Sequence, residues 1–80
     1  MVLKQYAIDR YLYVDDIVSF LVITDKKRYS FFENHLPSIL NLIDGKIEYV
    51  VRGAGQSAII SDLNGMLYFA ENTLTLILKH

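Results

Sequence analysis

The sequence contains no cysteine and one proline among its 80 residues. Without cysteine the chain can form no disulfide and no thiolate-bound metal site, and this lack also fits a reducing cytosol. No apolar run approaches the ~20 residues that a membrane-spanning helix needs, and the first ten residues lack the plan of a signal peptide. We therefore expect a cytoplasmic protein of a bacterial, archaeal or virus-infected cell, with no membrane partner.

An excess of charge of either sign is also missing. Eight basic and nine acidic residues give a net charge of −1, so nothing attracts the whole molecule to nucleic acid or to an anionic membrane. Eighty residues make one domain, spanning 1–80, which buries only ~60–65% of the surface of the unfolded chain. Because 52% hydrophobic residues is high for so small a domain, we expect a homo-oligomer, most simply a dimer.

The stretch from Asp16 to Thr24 is apolar on both alternating faces. A strand of this kind must be covered twice, so we expect it to be the central strand of a small sheet. Residues 2–8 are predicted as an earlier strand, although a helix is possible there. Residues 11–14 continue that strand or form a tyrosine-rich connection.

A helix is predicted over about residues 30–43. Ser30 and Glu33 have the spacing of a capping box, and apolar residues follow at helical intervals. This stripe consists of Phe32, Leu36, Ile39, Leu40 and Ile43. Pro37 would kink such a helix; alternatively the helix begins at Asn34 and residues 28–33 are extended.

The second half reads as an antiparallel meander, with strands over 46–52, 57–63, 66–70 and 73–79. Residues 53–56 form a loop, Asn64-Gly65 is the strongest hairpin signal, and Glu71-Asn72 is a second tight turn. A rival interpretation makes 62–71 a helix. The predicted fold class is α+β, a mostly antiparallel sheet of about five to six strands with one kinked helix on one face, in the order β-β-α-β-β-β-β.

The register of this meander divides its side chains between two faces. One face collects apolar residues and is predicted to lie under the helix. The other carries apolar residues that suit water poorly and form the predicted interface: Val50, Ile59, Met66, Tyr68 and Ile77. Either a second chain covers this outer face, or residues 1–14 fold across it.

Few residues suggest chemistry. His35 has no second histidine or cysteine at ligand spacing, and Asp9, Asp15 and Asp16 lack a glycine-bearing calcium loop. We therefore expect no catalytic residues, no metal and no cofactor.

The leading hypothesis is a non-enzymatic protein–protein interaction module that self-associates, as a small accessory protein such as a regulator, an inhibitor or an assembly subunit. The alternative is a nucleic-acid-binding protein that uses the patch Lys26, Lys27, Arg28 and Tyr29, together with Arg52. A second alternative is a binder of small anions at the Gly53–Gln56 loop, whose glycines allow backbone N–H groups to converge.

Overall fold

A computed structural model describes residues 1–79, which form seven strands in a single mixed sheet. The strands are β1 (Val2–Ala7), β2 (Arg10–Val14), β3 (Ile17–Ile23), β4 (Arg28–Phe31), β5 (Ser38–Val51), β6 (Ser57–Ala70) and β7 (Thr73–Leu78). Their order across the sheet is β2-β1-β7-β6-β5-β3-β4. Neighbouring strands are antiparallel, except that β1 and β7 are parallel.

The long strands β5 and β6, with 14 residues each, belong to two limbs of the sheet. The five-strand limb contains β2, β1, β7, the second half of β6 and the first half of β5. The four-strand limb contains the first half of β6, the second half of β5, β3 and β4. Between the limbs, the register of β5 with β6 shifts on both sides of Gly45. Asp44 and Asp62 have positive φ angles of 49° and 58° there, and such irregularities bend a strand pair.

The bend brings the inner faces of the limbs together. Phe31, on β4 of the four-strand limb, stacks on Phe69 of the five-strand limb with ring centroids 5.0 Å apart. Met1 and Ile17 exchange two hydrogen bonds, in which the amino terminus donates at 2.7 Å and the Ile17 amide at 2.8 Å. The core between the limbs consists of Leu3, Ile17, Phe20, Val22, Phe31, Leu42, Ile47, Leu63, Leu67, Phe69, Leu74 and Leu76.

The predicted α+β fold is wrong, because residues 1–79 contain no helix. The segment predicted as a kinked helix over 30–43 instead holds the end of β4, a turn and the first half of β5. Pro37 disfavours helical geometry at the residue before it, and from Ser38 onward Leu40 and Leu42 face inward while the residues between them face out. Most of the apolar stripe is therefore exposed, with Leu36 at 78% and Ile39 at 63%.

The predicted meander needs a second correction. The sheet has seven strands and a parallel pair, where about five to six mostly antiparallel strands were expected. The predicted Asn64-Gly65 hairpin is also wrong, as is the rival helix over 62–71, because β6 continues as one strand through Asn64 and Gly65 to Ala70. Glycine is required at position 65 for a different reason, since a Cβ there would lie 2.1 Å from the Ile77 carbonyl oxygen.

Other parts of the sequence-based fold are confirmed. Residues 2–7 are a strand, and the Glu71-Asn72 turn has positive φ at both positions, 51° and 58°. The register across it pairs Leu67 with Leu76, as expected.

The segment predicted as the central strand is a strand, but it does not lie at the centre of the sheet. It is β3, which lies between β5 and the edge strand β4. A register shift between Ile17 and Ser19 turns Ile17, Phe20 and Val22 inward. Val18 is left outside at 40% exposure, so the strand is covered on one face only.

Candidate functional site

The outer face of the five-strand limb is the feature of this molecule that calls for a functional explanation. Strand alternation places every second residue of its strands on that face, and the pairing aligns these residues in two rows. The first row runs Tyr11, Tyr6, Ile77, Met66 and Asn41. The second row runs Tyr13, Lys4, Thr75, Tyr68 and Ile39.

Seven large side chains in these rows are between 43% and 63% exposed. We call them the tyrosine face: Tyr6, Tyr11, Tyr13, Ile39, Met66, Tyr68 and Ile77. An aromatic side chain has 150–250 Å² to bury, so a half-exposed one leaves ~100 Å² in water. The tyrosine face therefore offers ~700 Å² of mostly apolar surface, more than the largest patch of an ordinary monomer.

Electrostatics leave this face almost uncharged. Lys4 is the one ionisable group in the two rows apart from the tyrosines, and it is half-buried between its neighbours. Tyr6 and Tyr11 contact each other with ring centroids 5.0 Å apart. The pKa of Tyr11 is raised above its ordinary value, chiefly because its hydroxyl is desolvated. The neighbouring Tyr6, with its hydrogen bond, and then Tyr13 raise this pKa further. Tyr11 is therefore neutral near pH 7.

The structure divides the five residues of the predicted interface between the limbs. Met66, Tyr68 and Ile77 lie together on the tyrosine face, whereas Val50 and Ile59 lie on the outer face of the four-strand limb. The bend at Asp62 separates the two groups along β6.

Residues 1–14 do not fold across the outer face. They form β1, which lies beside β7, and the edge strand β2, which lies beside β1, and both strands extend the same face. Tyr6, Tyr11 and Tyr13 thus enlarge the patch that, in one of the two alternatives, they would have covered. The pairing of β1 with β7 is parallel and joins the two ends of the described chain, and no local sequence signal predicts such a contact.

The basic patch predicted for nucleic acid is split. Lys26 and Lys27 lie in the turn between β3 and β4, where Thr24 Oγ1 accepts from both amides at 3.2 and 3.1 Å. The Lys27 ammonium lies 5.0 Å from the Tyr29 ring centroid, and Arg28 begins β4.

Arg52 lies far from that turn. Its amide donates to the Asp16 carbonyl oxygen at 2.9 Å, which places it at the opposite end of β3. Seven strand residues span ~23 Å, so Arg52 cannot join the cations of the turn in one compact site. Its guanidinium Nε lies 3.2 Å from Asp16 Oδ1.

The Gly53–Gln56 loop is a turn between β5 and β6. Gly53 and Gly55 have positive φ angles of 77° and 82°. The Ala54 amide donates to the Val51 carbonyl oxygen at 3.0 Å, so this N–H does not point to an external anion. With Arg52 already paired, the loop presents a weaker anion site than its sequence indicated.

His35 packs on the two stacked phenylalanines, with ring centroids 4.7 Å from Phe31 and 5.8 Å from Phe69. Within residues 1–79, no three histidine or carboxylate side chains come together in a group that could hold a metal ion. The same residues include no helix that is long and apolar enough to cross a membrane. No protein-family model and no curated protein matches this chain.

Proposed function

We propose that this chain is a non-enzymatic protein-interaction module that self-associates as a two-fold dimer through the tyrosine face. The observation that supports it is the set of seven large, half-exposed side chains on one continuous five-strand surface. An ordinary specific interface buries ~800 Å² on each partner. The ~700 Å² of the tyrosine face, with the threonine and asparagine side chains between, approaches that size.

The chemistry of the face favours a protein occupant over nucleic acid. Interface cores are depleted of charge and enriched in tyrosine and methionine, which describes these two rows. A nucleic-acid surface would need several cations to neutralise phosphates, whereas Lys4 is the one cation in the rows.

A second copy of the chain is the simplest binding partner for the tyrosine face. In a two-fold dimer the same patch meets itself, and two sheets pack face to face about 10 Å apart. Lys4 of one chain then needs acceptors on the other, and the face supplies them as tyrosine and threonine hydroxyls. Burial of the patch also adds stability that an 80-residue core lacks.

Sedimentation of the wild type over a range of micromolar concentrations tests the proposal. We expect a species of twice 9.2 kDa that dissociates on dilution. Tyr68→Asp, in the second row and 47% exposed, should weaken the dimer ~30-fold or more, as loss of a central aromatic contact does.

Ile59→Asp is the matched control, because Ile59 is 55% exposed on the other limb. It should leave the dimer intact. A 9.2 kDa monomer at every concentration would refute the proposal, as would equal dissociation by both variants. Circular dichroism of Tyr68→Asp separates loss of association from loss of fold, and Tyr68→Thr serves if the aspartate variant does not fold.

Nucleic-acid binding at the β3–β4 turn is the alternative outcome. It would show as a steep dependence of affinity on salt that is lost in Lys26→Ala and kept in Tyr68→Asp. Self-association through apolar surface should instead change little with salt.

A further inference from the structure

The strand β7 lies in the middle of the five-strand limb and carries the two residues at the centre of the tyrosine face. Thr75 and Ile77 point outward, with two strands of the limb on either side of them. A two-fold axis over β7 lets two copies of the face overlap across all five strands. An axis over β1 or β6 would leave strands of one side uncovered. The largest overlap therefore centres the dimer on these two residues.

The two sides of β7 carry different side chains in the same two rows. The β1 side has Lys4 and Tyr6, and the β6 side has Tyr68 and Met66. Neither row contains an acidic residue, and among residues 1–79 the one cation found over an aromatic ring is Lys27. Because a buried charge is costly without a partner, the Lys4 ammonium needs its partner from the other chain.

We propose that the two-fold axis of the dimer runs along β7, so that Lys4 of each chain lies over the Tyr68 ring of the other. This arrangement rests on the dimer proposed above and specifies its geometry. An axis along the strand keeps each row over its own copy and exchanges the two sides of β7. Lys4 then gains a cation–π contact with Tyr68. In the other row Met66 meets Tyr6, and a methionine sulfur contacts an aromatic ring favourably.

On the axis itself each residue meets its own copy. The Thr75 hydroxyl is both a donor and an acceptor, so two copies can bond to each other. Ile77, which is 60% exposed in one chain, meets a second isoleucine. Aligned sheets cross at ~30°, which keeps the contacts beside the axis and loosens those at β2 and β5. The central contacts are therefore the ones that define the dimer.

An axis that runs across the strands fits the rows less well. It would keep each strand over its own copy and exchange the two rows. Thr75 would then lie against Ile77 of the other chain, where its hydroxyl is buried without a partner and costs free energy. The axis along β7 instead pairs polar with polar and apolar with apolar at the centre of the face.

A distance between two spin labels distinguishes the two axes. The chain has no cysteine, so one introduced cysteine carries one nitroxide per chain. Glu71 is exposed in the β6–β7 turn, outside the tyrosine face, and lies ~15 Å along the strand from the centre of the face. With the axis along β7, the two copies of this turn lie on the same end of the dimer, within ~20 Å of each other. With the axis across the strands they lie on opposite ends, ~30 Å apart.

Pulsed electron paramagnetic resonance of labelled Glu71→Cys measures this distance, and ~30 Å would overturn the proposed axis. Gln56→Cys is the matched control, because Gln56 is exposed in the β5–β6 turn of the other limb. It should give a clearly longer distance than Glu71→Cys. Short distances from both positions would show non-specific association and would also overturn the axis. Sedimentation of the labelled chains separates the two proposals. A monomer at every concentration refutes the dimer and its axis together, whereas a dimer with a long Glu71 distance refutes the axis alone.

A double-mutant cycle tests the contact between Lys4 and Tyr68. We expect Lys4→Gln and Tyr68→Leu each to raise the dimer dissociation constant ~tenfold. Because both changes remove the same contact, the double variant should dissociate no more easily than the weaker single variant. Lys26→Gln, on the other limb, is the control and should leave the dissociation constant of either background unchanged. Effects of Lys4→Gln and Tyr68→Leu that multiply, in variants that circular dichroism shows to be folded, would contradict the contact.

Discussion

The outer faces of the two limbs differ in chemistry although β5 and β6 run through both. In the five-strand limb these strands turn Ile39, Met66 and Tyr68 toward solvent. After the bend, the same strands present Glu48 and Ser57, and the Ser57 hydroxyl donates to Glu48 Oε1 at 2.9 Å. The polar face of the second limb is what an antiparallel sheet shows to water. β5 and β6 therefore do not have apolar outer residues along their whole length. The apolar residues are concentrated on the outer face of the five-strand limb.

Isolated apolar residues do occur on the four-strand limb. Val18 is 40% exposed and Ile59 is 55% exposed, but Ile59 has Glu48 as its neighbour across β5. Scattered apolar side chains of this kind are normal on protein surfaces, whereas a contiguous patch marks an interface. Self-association is therefore expected to depend on one limb and to be insensitive to the other.

The largest loss of stability is expected from a substitution at the junction of the limbs. Gly65 pairs with Leu42 on one side and with Leu78 on the other, and its φ is 151°. In Gly65→Ala the new Cβ would lie 2.1 Å from the Ile77 carbonyl oxygen, so β6 and β7 must separate. We expect a loss of more than ~3 kcal/mol in the free energy of unfolding, enough to unfold a marginal domain.

Gly53→Ala is the matched control for this variant. Gly53 also has positive φ, 77°, but its Cβ would meet nothing within 4 Å. Only backbone strain of ~1–2 kcal/mol is expected there. Similar losses in urea denaturation for both variants would show that Gly65 is not held by close strand approach.

Gly65 also shows why part of the fold was predictable and part was not. Asn-Gly is a strong local signal for a hairpin, and only the distant approach of β7 makes the glycine necessary within a strand. The Glu71-Asn72 turn was predictable because the strands that it joins are adjacent in the sequence.

The predicted helix failed because apolar spacing was ambiguous over 36–43, where the isoleucines fit both periods. Strand alternation correctly placed Met66, Tyr68 and Ile77 on one outer face. The sequence could not add Tyr6, Tyr11 or Tyr13 to that face, because the parallel pairing of β1 with β7 has no local signature.

A loss of stability of intermediate size is expected at the contact between the β4–β5 turn and the β6–β7 turn. Asn72 Oδ1 accepts from the Asn34 amide at 2.7 Å, and Asn72 has a φ of 58°. Asn72→Ala loses this hydrogen bond, ~1 kcal/mol, and adds left-handed strain of ~1–2 kcal/mol. We expect thermal unfolding to report a loss of ~2 kcal/mol. Asn72→Gly loses the same hydrogen bond but relieves the strain, so equal losses in the two variants would contradict this account.

A pH titration distinguishes the faces without mutation. Because the fold raises the pKa of Tyr11 above 10.0, the neutral hydroxyl is favoured, and this contribution to stability is present at lower pH and lost as pH rises through the raised pKa. Tyrosinates should not enter an apolar interface, so the dimer dissociation constant should be constant near neutral pH. Above the raised pKa of Tyr11 it should rise ~tenfold per pH unit for each Tyr11 that must be neutral. Sedimentation from pH 7 upward measures this, and a profile that stays flat above that pKa would place Tyr11 outside the interface.

The smallest effect is expected from the ion pair of the four-strand limb. Arg52 Nε lies 3.2 Å from Asp16 Oδ1, and both side chains are more than 60% exposed. Exposed pairs contribute little because water and salt screen them and two side chains must be ordered. Arg52→Ala should change the free energy of unfolding by less than ~0.5 kcal/mol and leave the dimer unchanged.

Asp16→Asn keeps a residue that tolerates the positive φ of 60°, so a double-mutant cycle with Arg52→Ala isolates the pair. Urea denaturation should give a coupling energy below the same limit. A coupling above ~1 kcal/mol would mean that this limb is held by its surface charges. Loss of phosphate binding in Arg52→Ala, with the fold intact, would instead revive the anion site at the Gly53–Gln56 loop.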